Sequence, residues 1–216
     1  MSFLNSLLTL LARTDHQKTR LAIRQMKKTR GGDPSQWFSP IKSGDVVFDF
    51  GGYEGEWAAA MRHISDCYLH VFEPHPKFAK ALDARFTDDK MVAVHAFALG
   101  AEDGSFELSD DADASSAFAV GALAVTCQVV SFEKFMDSHN IGEVAATKMN
   151  IEGGEYDLLA AMIATGHMSR FNEIAIQFHN YGQGEKSKRD ALRLDLAKTH
   201  DCVWSYDFVW EFWRRR

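Results

Sequence analysis

Apolar residues along this chain fall into short unbroken runs separated by longer stretches with a helical period, which predicts strands alternating with helices. Val46–Phe50 is the clearest run, and its β-branched and aromatic residues follow one another without polar alternation, as in a strand buried on both faces. Tyr68–Phe72, Met91–Phe97, Val144–Ile151 and Glu173–Phe178 repeat the pattern. Between them, a helix starts at Glu56. A second spans Pro76–Phe86, with Phe78, Ala79, Leu82 and Phe86 on one face and proline at its first turn. Phe132–His139 predicts a helix that Ser131 caps, and Glu185–His200 a charged amphipathic one. Such alternation predicts a parallel sheet covered on both sides.

Two stretches depart from that rhythm. Ala101–Val125 is irregular, with a turn at Glu102-Asp103-Gly104, a short strand at Ser105–Leu108 and an acidic, small-residue loop; Cys127–Ser131 then forms another strand. Near the end, Trp204, Tyr206, Phe208, Trp210 and Phe212 alternate with other residues, predicting a final pair of strands with one aromatic face. Core packing explains that face better than a glycan-stacking surface does.

The chain divides into a helical arm, residues 1–40, and one domain, residues 41–216. In the arm, Phe3, Leu4, Leu7, Leu8, Leu10 and Leu11 are interrupted by Asn5, Ser6 and Thr9, so the apolar stretch is too short to cross a bilayer. It lacks the basic start and cleavage site expected of a signal peptide. Lys18, Arg20, Arg24, Lys27, Lys28 and Arg30 follow, and Gly31-Gly32-Asp33-Pro34 ends the helix. This arm either packs on the domain or a second subunit with its basic side in water, or lies on a membrane surface. Trp37-Phe38 would cover the sheet edge or the ligand side. The closing Trp213-Arg214-Arg215-Arg216 is a basic tail, either solvated or in contact with anionic lipid or polymer.

Composition narrows the class. A chain of 216 residues with 46% hydrophobic and 25% charged residues suits one globular domain with a substantial core. A net charge of −6 argues against general nucleic-acid binding, which needs a basic face. Cys67, Cys127 and Cys202 are scattered without metal spacing, which suggests buried thiols in a reducing cytoplasm.

The chemistry begins where the first strand ends, at Asp49-Phe50-Gly51-Gly52-Tyr53-Glu54-Gly55. Gly51, Gly52 and Gly55 suit a turn that needs positive φ or close backbone approach. A strand, a glycine turn and a helix form the first half of a nucleotide-binding βαβ unit. Asp49, Glu54 and Glu56 crowd this turn, and each carboxylate about 5 Å from a charged ligand would contribute on the order of 3 kcal/mol before screening. Phosphate would be disfavoured and a cation favoured. The sulfonium and amino groups of S-adenosylmethionine meet that condition. Glu73 closes the second strand about 20 positions later, where a carboxylate grips a ribose diol. The small-residue stop at Ala98-Leu99-Gly100 would let an adenine approach beside Leu99.

These residues, with Val71-Phe72-Glu73-Pro74-His75-Pro76, Gly104, Ser115-Ser116 and Lys148-Met149-Asn150-Ile151-Glu152-Gly153-Gly154-Glu155, resemble the FkbM-type methyltransferases from about Val46 to Tyr181. The resemblance implies a class I methyltransferase fold: an α/β, Rossmann-like seven-stranded sheet of order 3-2-1-4-5-7-6, its last strand antiparallel, with helices on both faces. It also implies S-adenosylmethionine-dependent methylation of a hydroxyl, often on a sugar. Ser115 and Ser116 would lie near the cofactor or acceptor. Asn150 and Tyr53 stand where the family usually has other residues.

Lys148, Asn150 and Glu152 alternate at the end of a central strand, so a period of two would place them on one side, facing the ligand crevice. Methyl transfer to an alcohol requires in-line positioning and removal of the hydroxyl proton. Lys148 would stabilise a developing alkoxide, Glu152 or His179 would accept the proton, and Asn150 and Asn180 would bind the acceptor. His179 is the general-base candidate, because an imidazole at a strand end before a glycine turn titrates in the useful range. Glu155, at a helix start, has a structural reading near the helix dipole. Asn150, Glu152 and His179 also offer donors to a divalent ion, but no metal site is assigned on that spacing. Two alternatives remain open here: an O-methyltransferase acting on a small natural product, and a non-catalytic adenosyl-binding protein.

Overall fold

The computed structural model describes residues 17–109, 124–182 and 184–216. Seven strands form the main sheet in the order β3-β2-β1-β7-β8-β10-β9. They are β1 (Val46–Phe50), β2 (Tyr68–Phe72), β3 (Val92–His95), β7 (Val144–Met149), β8 (Phe171–Ile176), β9 (His200–Tyr206) and β10 (Trp210–Arg215). Six run in one direction, and β10 alone is reversed, antiparallel to both β8 and β9. This is the strand order expected from the class I resemblance.

Three shorter strands, β4 (Ala98–Gly100), β5 (Gly104–Ser109) and β6 (Ala124–Ser131), make a second sheet in the order β4-β6-β5. The run Met91–Phe97 therefore breaks earlier than its hydrophobicity predicts. β3 stops at His95, and the chain crosses to the small sheet, where Leu99 pairs with Val130 and is buried.

Helices cover both faces. One face carries α4 (Phe132–Ser138), α5 (Glu155–Ala164) and α6 (Glu185–Leu196), the other α2 (Glu56–Ile64) and α3 (Pro76–Arg85). Alternation along β1 divides the core. Phe48 and Phe50 enter a cluster with Phe72, Phe135, Leu159, Met162 and Leu196, whereas Val47 joins Trp57, Met61, Leu69, Val71 and Leu82. Phe50 stacks on Phe72 with centroids 5.1 Å apart. Burying each such ring contributes about 1.5–3 kcal/mol before entropy.

Residues 17–30 form α1. Ala22, Ile23 and Met26 pack against Ala175, Val209, Trp210 and Phe212, so the arm covers the β8–β10 part of the α2 face. Trp37 meets Trp204 and Trp210 edge-on, and Phe38 meets Trp57 and Phe212. The aromatic alternation near the end of the chain thus serves core packing, except that Phe208 falls in the turn between β9 and β10 with φ of 49° and packs against the cluster on the other face.

The tail is engaged too. Arg214 pairs with Glu173, Arg215 with Glu143 and Arg216 with Asp201, and β10 continues through Arg215. The Arg214–Arg216 run is therefore the end of a strand with local ion-pair partners, and its reading as a free basic tail is corrected. Among the described residues, no helix is long and apolar enough to cross a membrane.

Candidate active site

Backbone pairing continues past the strand ends and gathers four loops on one edge of the sheet. Gly51 and Gly52 donate N–H groups to the Phe72 carbonyl, Glu73 donates to His95, Asn150 to Phe50 and Gln177 to Met149, at 2.9–3.2 Å. Residues following β1, β2, β7 and β8 are thereby held together at the C-terminal edge, where open α/β sheets bind ligands.

The turn after β1 is tightly fitted. Gly51 and Gly55 have φ of 83° and 81°. A Cβ on Gly51 would lie 2.1 Å from the Asn150 carbonyl oxygen, and one on Gly52 would lie 2.4 Å from Val71. On Gly55 it would meet Leu82 at 2.6 Å. These glycines are required because β1's turn abuts the protein's own β7 loop and α3.

Parallel register sets Asp49 beside Lys148 on the α2 face. The Lys148 ammonium donates to Asp49 Oδ1 at 2.5 Å and to the Gly51 carbonyl at 2.9 Å, and lies over the Trp57 ring. Burial pushes the Asp49 carboxyl up, while Lys148 pulls the other way. Two of Lys148's three donors are therefore directed at the end of β1 and its glycine turn. Its geometry supports a role in fixing that turn more than a role at a developing alkoxide.

Glu73 is buried, and its carboxylate accepts from Tyr53 N at 2.8 Å and His75 N at 2.9 Å. Burial raises its pKa, and the two backbone donors partly offset this. Each oxygen keeps a second lone pair. The negative-turn argument needs correction at the other carboxylates. Asp49 is neutralised by Lys148, and Glu56 pairs with Arg85, which also bonds the Glu54 carbonyl. Glu73, bonded by backbone N–H groups, is left as the buried anionic group, while the Glu54 carboxylate stays exposed.

The residues expected on the acceptor side form a second cluster. β7 ends at Met149, and Glu152 then takes φ of 49° with Gly153 at 104°. The expected alternation of Lys148, Asn150 and Glu152 consequently fails beyond the strand end: Lys148 turns to Asp49 while Glu152 joins His179. Positive φ in a non-glycine residue costs about 1–3 kcal/mol and clusters at functional loops, and Tyr53 shares it at 48°.

Glu155 is the residue whose part in the site the sequence did not reveal. Fully buried, it accepts from His179 N at 2.7 Å, lies 3.2 Å from His179 Nδ1 and accepts from Gly153 N at 2.8 Å. His179 Nε2 faces Glu152 Oε1 at 3.4 Å. Tyr156 donates to the His179 carbonyl, and Tyr181 donates to Glu152 at 3.1 Å. Burial disfavours the charged ring, but Glu152 and Glu155 outweigh it and raise the His179 pKa to about 9. Glu152 is shifted oppositely: burial opposes its charge, yet His179 and Tyr181 hold the carboxyl below its ordinary range.

The remaining candidates are placed differently. Asn150 is half-buried, with Oδ1 among the buried acceptors lacking a partner. Asn180 is exposed and accepts from Gly182 N at 3.1 Å, a turn-forming contact. Leu99 contributes to the core beside α5, and Ser115 and Ser116 lie outside the described residues. Among the described residues no group of three His, Cys, Asp or Glu side chains is arranged to hold a metal ion. Of the other described histidines, His200 contacts the Phe171 carbonyl at 2.7 Å and His139 stacks on Phe135, while His63 is exposed.

The methyltransferase FkbM domain model matches residues 49–202. The chain belongs to the FkbM methyltransferase family. It is a methyltransferase that uses S-adenosylmethionine. No curated protein matches it. Among solved structures, a putative rRNA methylase from Clostridium thermocellum is 13% identical, with TM-score 0.52, over 81% of this chain and 88% of that one. Methanococcus jannaschii fibrillarin, a pre-rRNA processing protein, is 12% identical with TM-score 0.47, over 82% and 69% of the two chains. Aeropyrum pernix fibrillarin, solved with natively bound S-adenosyl-L-methionine, is 10% identical with TM-score 0.44, over 91% and 74%.

The first half of the site fits that cofactor. Asp49 Oδ2 and Asn150 Oδ1 are buried acceptors without partners, and Glu73 has lone pairs to spare. An ammonium and a ribose diol are donors, so an acceptor-rich lining complements them.

Proposed function

We propose that this methyltransferase methylates a hydroxyl group, with a carbohydrate as the acceptor class. The observation carrying the proposal is the Glu152–His179–Glu155 cluster beside the cofactor loops. An amine or thiolate can attack with a free lone pair, whereas an alcohol must lose a proton, and this cluster supplies a fixed, strong base. Bound S-adenosylmethionine supplies an electrophilic methyl group on a sulfonium. Glu73, Asp49 and the Gly51–Gly55 turn would hold it, with Lys148 fixing the turn.

In this reading the acceptor proton passes by way of Glu152, whose Oε1 lies 3.4 Å from the buried His179 Nε2, to that nitrogen, opposite the one Glu155 orients. Glu152 stabilises the resulting imidazolium and, with Tyr181, orients the hydroxyl. The exposed Tyr53 and Tyr181 rings, on the loops after β1 and β8, offer stacking surfaces for a sugar. These rings and the family resemblance support the sugar assignment. The test is a panel of glycans, free sugars, phenols, amines and thiols assayed for S-adenosylhomocysteine release, with the product mapped by NMR. A methyl ether on a sugar oxygen is expected; transfer confined to nitrogen or sulfur would overturn the proposal.

A further inference from the structure

We propose that the outer face of α1 docks the protein on an anionic lipid bilayer, an interaction separate from the methyl-transfer site. Six cations and no carboxylate occupy residues 17–30, although the whole chain carries −6, so positive charge is concentrated on one helix. Its inner face is committed to Ala175, Trp210 and Phe212 through Ala22, Ile23 and Met26. At about 100° per residue, Arg20, Leu21, Arg24, Lys27 and Lys28 fall within roughly 120° of arc on the opposite side. All five are exposed, Leu21 to 63%. Arg20, Arg24, Lys27 and Lys28 form no ion pair among the described residues. Elsewhere arginines are matched with carboxylates, as at Arg62–Asp89, Arg189–Glu211 and Arg214–Glu173.

Charge complementarity alone would admit any polyanion. Two features select a bilayer. Leu21 sits among the cations, where the headgroup–acyl boundary welcomes an apolar side chain and a phosphate backbone does not. In the sequence, Phe3, Leu4, Leu7, Leu8, Leu10 and Leu11 precede this polybasic stretch, and an apolar segment joined to a basic one is the pairing of signals that surface anchoring requires. Outside α1 the chain is strongly acidic, so a nucleic acid long enough to run beyond the helix would meet net repulsion.

The test is co-sedimentation of the full chain with phosphatidylcholine vesicles containing about 30% phosphatidylglycerol, against pure phosphatidylcholine, at low and high salt. Binding is expected only to anionic vesicles, weakening with salt. Arg20→Gln, Arg24→Gln, Lys27→Gln and Lys28→Gln combined should lower partitioning on the order of a hundredfold. Circular dichroism and S-adenosylmethionine binding of that variant should match the parent, showing that it folds. Leu21→Gln should weaken binding severalfold at unchanged charge. The proposal is overturned if the parent ignores anionic vesicles at low salt, if the quadruple variant binds as well as the parent, or if single-stranded polynucleotide competes the protein off the vesicles.

Discussion

The two halves of the proposed site, a donor side and an acceptor side, are built on opposite principles. On the donor side, around β1 and β2, charges are buried and answered: Asp49 by Lys148, Glu73 by two backbone N–H groups, and the glycine turn by tight packing. The acceptor side, around β7 and β8, holds one imidazole between two carboxylates, with Glu152 partly exposed in a left-handed conformation. The first arrangement is suited to fixed recognition of a constant cofactor. The second retains an excess of charge that a proton transfer can use.

Substitutions that strike one half and spare the other test this contrast. The largest effect is expected for His179→Gln, which removes the base: turnover should fall about 10²–10⁴-fold while S-adenosylmethionine affinity, measured by calorimetry, stays within about twofold. A parallel loss of cofactor binding would erase the distinction between the halves. Gly51→Ala should damage both, because the added methyl has the Asn150 carbonyl at 2.1 Å and the backbone keeps φ of 83°. Denaturant unfolding should show a loss of about 2–4 kcal/mol.

Glu73→Gln should sharpen the donor side alone. It replaces one acceptor oxygen with an NH₂ facing backbone donors, and the cofactor Kd should rise about tenfold to a hundredfold with little change in turnover at saturation. The smallest effect concerns stability against pH. Because the folded state raises His179 from 6.5 to about 9, its contribution is fully present below pH 6.5 and is lost as pH rises through about 9. The melting temperatures of parent and His179→Gln should therefore converge across that window. A constant difference would mean that the imidazole is not held charged.

The sequence makes the donor half largely legible and the acceptor half only partly so. A buried strand ending in Asp49, a glycine turn and Glu73 after the next strand are local patterns, and the fold keeps them where periodicity places them. Lys148's partner lies 99 residues away, so pairing with Asp49 requires knowing that β1 and β7 are neighbours in register. Glu155 looks like a helix-start residue, and its hold on His179 exists only because the loop after β8 returns over α5. Strand periodicity could not carry Lys148 and Glu152 to one face, since the backbone leaves extended geometry after Met149. The negative turn was overestimated for the same reason: Lys148 and Arg85 arrive from other elements.

The account stands on His179 as a base strengthened by its carboxylates, so the decisive measurement is kcat/KM against pH, with the acceptor found in the panel, for the parent and for Glu155→Gln. The parent should gain activity with unit logarithmic slope up to a break at about 9, and the break should move down toward 6.5 in the variant. A profile flat from about pH 7 to 9.5, or a break that Glu155→Gln leaves in place, would contradict it.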